Sequence, residues 1–309
     1  MSFRDLLLFA VIFGSVAAAV FFPAQGTVFQ PYLLYFMMTL LFLSFLRIDF
    51  RSVLDVSSRG LIRLGMLVTA KLIILPSLLY GAVLLTVPEY AVPTLLLSGI
   101  STGVVAPFIA AFIAAEVVQV LQMVIVSSII VPFSLPALVK LLAGARIEIP
   151  LETMVRLLSL VIFVPIGAVL ILRRWFPGAP EKIAVHQYPI SLAIFAIINL
   201  GVFSKYSSFF FGNPGQVFVS VAVAYALCAI YYAAGFLITP GLGRSERLAA
   251  GVSLAVINNV LVIVFSSRFF GPLSPLLAAM YMFPFFTMII PVKLIANLRA
   301  NIPHRGEEL

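Results

Sequence analysis

Apolar residues run in long blocks from one end of the chain to the other, broken by short polar stretches. Blocks of membrane-spanning length recur throughout, so the solvent they are built for is lipid. The pattern predicts ten spans, at about 5–22, 31–46, 61–87, 91–115, 117–142, 152–175, 185–203, 214–239, 247–267 and 272–298. Turn chemistry marks the breaks: Pro23 to Pro31, the Arg47 to Asp49 run, Pro88-Glu89, Arg146 to Pro150, Pro177 to Pro180, Asn213 to Gly215, Pro240 to Gly243 and Gly271-Pro272. The opening stretch, MSFRDLLLFAVIFGSVAAAVFF, has a long apolar part that no small-residue cleavage site of the A-x-A kind closes, so it is expected to be a retained first span.

Composition agrees. Of 309 residues, 63% are hydrophobic and 10% charged, where a soluble domain carries about a quarter charged. No polar stretch is long enough for a separate soluble domain. The net charge of +8 does not point to nucleic acid, because the basic residues sit in short loops between spans. That arrangement fits topology signals and contact with anionic membrane lipid. Thirteen Lys and Arg residues fall on one side and five on the other, with Lys71 inside a span. The bias and the even span number predict an integral protein of the plasma (inner) membrane with both termini cytoplasmic. Cys228 lies in an apolar segment and reads as a small core residue. No Cys/His cluster suggests a metal site. No paired intramembrane carboxylates and no Ser/His arrangement suggest an enzyme. His186 at a span edge and His304 in the tail lie away from the middle of the membrane.

Ten spans divide into five and five, and the second five start from the opposite face, which is the plan of an inverted repeat. The fourth span of each half is unusual. TLLLSGISTGVVAPFIAAFIAA is interrupted by Gly99, Gly103 and Pro107, with Ser98, Ser101 and Thr102 between. LAAGVSLAVINNVLVIVFSS carries Asn258 and Asn259 at its centre. Interrupted segments at matching positions expose backbone groups that can replace a solute's water, so Ser101, Thr102, Asn258 and Asn259 are candidate substrate ligands, and Ser98 and Ser253 are candidate cleft-lining residues. Small-residue helix packing would explain the glycines. It does not explain two adjacent amides at mid-membrane, whose hydrogen-bonding groups need partners.

Those segments, with VSSIIVPFSLPAL between them, resemble the bile acid:sodium symporter family along essentially the whole chain. The resemblance implies an all-α membrane fold of ten helices in two inverted five-helix repeats, with helices 4 and 9 broken and crossing. It implies a panel domain (about 5–46 and 152–203) and a core domain (about 61–142 and 214–298) within a single transporter unit. It implies a small organic anion held beside the crossover and alternating access by movement of core against panel. The sodium ligands do not carry over. Ser253 stands where such members have Glu, Ile257 where they have Gln, and only Asn258 keeps its type. Ala106-Pro107 replaces a Ser-Asn pair, and Val120 and Val124 replace two hydroxyl ligands. A hard cation needs several oxygen ligands, so a bound sodium ion is doubtful, and no other cofactor is expected.

Lys71 stands alone in VTAKLIILP, five residues before Pro76, where relatives usually carry Gln. An ammonium there brings one charge and three donors into the space a sodium ion would fill. Such a charge costs about 3 kcal/mol at the bilayer centre, so it needs partners and usually a role. Three readings stand: a fixed cation that makes transport sodium-independent, a group that gives up and regains a proton each cycle, and a side chain that snorkels. Glu116, at the turn after span 4, is expected at the surface and not against Lys71.

Smaller expectations attach to other polar residues. Gln119 and Gln122 share a face of span 5 and either line the cleft or sit near the interface. Ser127 and Ser128 are expected to bond back to their own helix. Asn199 either faces the cleft or joins panel helices. Aromatic runs such as YMFPFF are read mostly as lipid-facing belts. Pro132, Pro136, Pro165, Pro284 and Pro291 are read as helix kinks. Arsenite efflux proteins share the fold class, but their span 4 cysteine is missing from STGVVAPF. Auxin-efflux-type carriers, a sodium-coupled or proton-coupled symporter, and a non-transporting membrane receptor or scaffold remain as alternatives. The sequence does not set the oligomeric state.

Overall fold

The computed structural model describes residues 3–46, 48, 58–144, 150–289 and 291–292. Most of Arg47 to Asp49, along with Arg51, Arg146, Lys293, Arg299, Arg305, His304 and the end of the predicted tenth span, lies outside them.

The first two predicted spans become α1 (Phe3–Phe21), then α2 (Pro23–Thr27) leading into α3 (Leu33–Phe45). The third is α4 (Ser58–Thr69) and α5 (Leu75–Thr86), joined by a π turn over Ala70–Ile74. The fourth is two short helices, α6 (Ala91–Ser98) and α7 (Ala106–Phe112). Then come α8 (Val117–Ala143), α9 (Leu151–Trp175), α10 (Ala179–Val185), α11 (Gln187–Ser204), α12 (Ser207–Gly212) and α13 (Pro214–Ile238). The ninth predicted span is again two helices, α14 (Arg244–Ala255) and α15 (Asn259–Phe269), followed by α16 (Leu273–Met280) and α17 (Met282–Thr287). The chain is thus all-helical, with no strand among the described residues. Six helical stretches are long and apolar enough to cross a membrane: Pro23–Phe45, Arg59–Thr86, Val117–Ala143, Leu151–Trp175, Gln187–Ser204 and Pro214–Ile238.

α8 runs on through Pro132 and Pro136, and α9 through Pro165. Pro76 acts upstream instead. It cannot donate to the Leu72 carbonyl, and its ring crowds that carbonyl. The chain responds by widening the turn before it, with Leu75 N–H reaching back five residues to Ala70 O. Lys71 lies in that widened turn.

The helices pack in two neighbourhoods. α1, α2 and α3 pack on α11, while α9 packs both on α3 of this group and on α8 of the other. α5, α6, α8, α13, α14 and α16 pack together, and α7 and α15 lie against them. α15 also touches α3 and α11, so its two faces meet both groups. Small residues set the closest approach. A Cβ on Gly235 of α13 would lie 2.5 Å from Gly251 Cα of α14. Backbones approach this closely only where both residues lack side chains. Cys228 is buried in the same region, as expected of a small core residue.

α4 and α14 run parallel. Arg63 pairs with Glu246 and Lys71 reaches Leu254, and each pair is 183 positions apart. Equal offsets at two points along both segments require the same direction and register. The Arg63 guanidinium holds the Glu246 carboxyl below its ordinary range, just before the predicted ninth span begins.

Gly235→Ala forces the α13 and α14 backbones apart and is expected to destabilise the protein by about 2 kcal/mol. Thermal unfolding in detergent measures this; an unchanged midpoint would show that the contact is not tight. Ala at Gly167, where nothing lies within 4 Å, is the neutral control.

Candidate functional site

A helix leaves its last four carbonyls without intrahelical partners. In lipid no water stands by to take them. α14 ends in this predicament deep inside the protein, with Val256 N–H closing its last turn on Val252 O. The four carbonyls that follow are all taken by other elements. Thr102 Oγ1 donates to Ser253 O at 2.7 Å. Lys71 Nζ donates to Leu254 O at 2.7 Å. The Tyr281 hydroxyl donates to Ala255 O at 2.7 Å. Gly103 N–H donates to Val256 O at 2.8 Å.

The two helix breaks therefore lie against each other. Asn258 N–H donates to Ser101 O at 3.0 Å, which with the Gly103 bond makes a short antiparallel bridge centred on Thr102 and Ile257. Gly103 permits the approach, because a Cβ there would lie 2.6 Å from Ile257 O. Thr102 N–H donates to Ser127 Oγ of α8 at 3.0 Å. Ser127 Oγ in turn donates to Met123 O, the expected bond to its own helix.

Lys71 is 1% exposed, so it does not snorkel in this conformation. Its ammonium meets the carbonyl end of α14, where the helix dipole favours positive charge. It also lies over the Tyr231 ring, 5.4 Å from the centroid. The Tyr231 and Tyr281 rings are themselves 6.1 Å apart. Glu116 is half-buried at the start of α8, and its N–H donates to Ser245 O near the opposite end of α14.

Most of the residues singled out in the sequence gather here. Ser101, Thr102, Ser253, Asn258, Asn259 and Lys71 surround the joined breaks. Their duties differ. Asn258 Oδ1 caps α15 by accepting from Leu261 N–H at 3.3 Å. Asn259 Nδ2 lies 3.0 Å from Met282 Sδ. The hydroxyls of Ser101 and Ser253 and the Asn259 amide oxygen are buried with no protein partner among the described residues. Other candidates lie elsewhere or are engaged locally. Ser98 Oγ donates to Thr94 O within α6. Gln119 is buried beside α14's start, donating to Glu246 O at 3.4 Å, and Gln122 is buried on the same helix. Asn199 donates to Ser15 Oγ at 3.0 Å, joining α11 to α1.

Two functional positions escaped the sequence reading. Tyr281 lies in the run assigned to lipid-facing aromatics, yet it is fully buried and caps α14. Tyr231 lies in an apolar span and forms the other wall beside Lys71. A hydroxyl on an aromatic ring at mid-span was the one available signal, since a tyrosine buried in lipid needs a partner for its O–H.

Thr102→Val leaves the Ser253 carbonyl buried and unsatisfied, with little change of shape. A loss of about 1–2 kcal/mol is expected, while Thr102→Ser keeps most of the stability. Equal midpoints for Val and Ser in thermal unfolding would sink the capping role.

No protein-family model matches the chain, and no curated protein matches its sequence.

Proposed function

We propose that the chain is a secondary transporter of a small organic anion in the plasma (inner) membrane. It works by alternating access without sodium, with Lys71 as a tethered cation at the crossover. The plan is that of the bile acid:sodium symporter family: ten spans, two inverted repeats, a core moving against a panel, both termini cytoplasmic. One observation carries the reading, the Lys71 ammonium 2.7 Å from the Leu254 carbonyl where two broken segments meet. A second cation at that oxygen would be repelled by the first at close range. The neighbouring carbonyls already accept hydrogen bonds, and the side chains nearby bring hydroxyls and amides but no carboxylate. These residues do not fit a bound sodium ion. The parallel course of α4 and α14 supports the plan as well, because third and ninth spans must cross in the same direction. The unpartnered Ser101, Ser253 and Asn259 oxygens leave polar capacity beside the breaks for water or solute.

Thermal stability in sodium, in potassium and across pH tests the cation role, for wild type and Lys71→Ala. Wild type is expected to ignore sodium. The variant is expected to lose stability and recover part of it with sodium. If Lys71→Ala does not fold, Lys71→Gln keeps two donors and serves the same comparison. A sodium-dependent rise in wild type, which at a hundredfold excess over Kd would be about 2.7 kcal/mol, identifies a conventional sodium symporter.

Alternating access has its own test. In a Cys228→Ala background, Asn259→Cys is expected to react with a membrane-impermeant maleimide from both sides of proteoliposomes. Reaction from neither side would favour a receptor or scaffold.

A further inference from the structure

Away from the crossover, α4, the end of α13 and the start of α14 enclose a cleft of about 610 Å³. Four of its lining residues, Arg59, Ile62, Arg63 and Met66, recur at helical spacing on one face of α4. The face is graded. Arg59 lies in the first turn, and Met66 is about 10 Å further along the helix axis. Ile62 is 66% exposed and Met66 53%, and Leu242 adds apolar surface from the facing loop. The one acidic residue in the lining, Glu246, is paired with Arg63. Arg59 is exposed and in no ion pair among the described residues. The cleft thus offers, at the first turn of α4, a guanidinium without an ion-pair partner among the described residues, and an apolar wall running away from it.

A free hydrophilic anion would use the guanidinium and gain nothing from Ile62, Met66 and Leu242. An amphiphile with an anionic head uses both ends. The cleft lies where the apolar stretch Arg59–Thr86 begins, the end of a span is where headgroups meet acyl chains, and phosphate suits the planar guanidinium fork. We propose that this cleft binds one anionic phospholipid, its phosphate on Arg59 and its first methylenes along Ile62 and Met66. Charge complementarity selects the headgroup, and the exposed apolar wall selects a lipid over a soluble phosphate. The lipid would brace α4 against α14 at the opposite end from Lys71. The proposal rests on the cleft and the membrane character alone, and it stands whether or not the protein transports an organic anion.

The test uses the full chain in mild detergent with dioctanoylphosphatidylglycerol, dioctanoylphosphatidylcholine or inorganic phosphate, read by thermal shift and native mass spectrometry. Phosphatidylglycerol is expected to bind about tenfold tighter than phosphatidylcholine and to raise the unfolding midpoint by several degrees, which phosphate alone does not do. Arg59→Gln is expected to abolish the headgroup preference. Arg268→Gln, an exposed basic residue on α15, is expected to keep it, and so is Arg59→Lys in part. Equal binding of the two lipids, or a preference that survives Arg59→Gln, overturns the proposal. Stabilisation by phosphate equal to that by phosphatidylglycerol overturns it too, and marks a soluble-anion site.

Discussion

Every backbone carbonyl that a helix abandons inside a membrane protein must find a donor within the protein. Each one left bare costs several kcal/mol. The end of α14 abandons four, and the arrangement around it follows from satisfying them. The donors come from the π turn ahead of α5, from the break between α6 and α7, and from the junction of α16 with α17. Three separate stretches of chain are therefore tied to one helix end. Moving any of them by an ångström or two would expose a carbonyl, so α4, the two breaks and α16 should behave as one rigid body.

That requirement explains a local irregularity. A regular helix through Pro76 would leave Leu72 O without a donor and in contact with the proline ring. The π turn relieves the clash and sets the direction of Lys71 relative to the helices on either side. The cation then faces a helix C-terminus, the one backbone feature that attracts positive charge without a carboxylate. Charge and geometry thus offset each other. A carbonyl, a dipole and an aromatic face offset the desolvation cost that a charged Lys71 would carry, and the cost of four bare carbonyls is met in part by its Nζ donor.

Polar groups at the breaks divide into those the fold uses and those it leaves over. Thr102, Ser127 and the Asn258 amide oxygen hold backbone groups. The Ser101 and Ser253 hydroxyls and the Asn259 amide oxygen do not, although each is buried. A buried polar atom without a partner is a standing cost unless water or a ligand meets it. The leftovers lie beside the N-terminus of α15, which also meets α3 and α11 of the other helical neighbourhood. Polar capacity is therefore left over where the two groups of helices adjoin.

By itself, the sequence determined the helical class, the membrane setting and the location of both breaks. Lipid-length apolar blocks, Gly and Pro inside one span and a pair of asparagines inside another are local signals that no tertiary contact can disguise. Lys71 was legible for the same reason, since one charge in an apolar run must be accounted for. What only the tertiary structure decided was direction. A helix that is apolar all round has no polar stripe to say which face turns inward, so Tyr231 and Tyr281 were indistinguishable from lipid-facing aromatics. Depth alone likewise could not separate Gln119, bonded at the start of α14, from a cleft residue, nor Asn199, which joins α11 to α1, from a substrate ligand. The meeting of Lys71 with Leu254 joins residues 183 positions apart. Nothing local encodes that contact; it comes from four unsatisfied carbonyls and the few donors within reach of them.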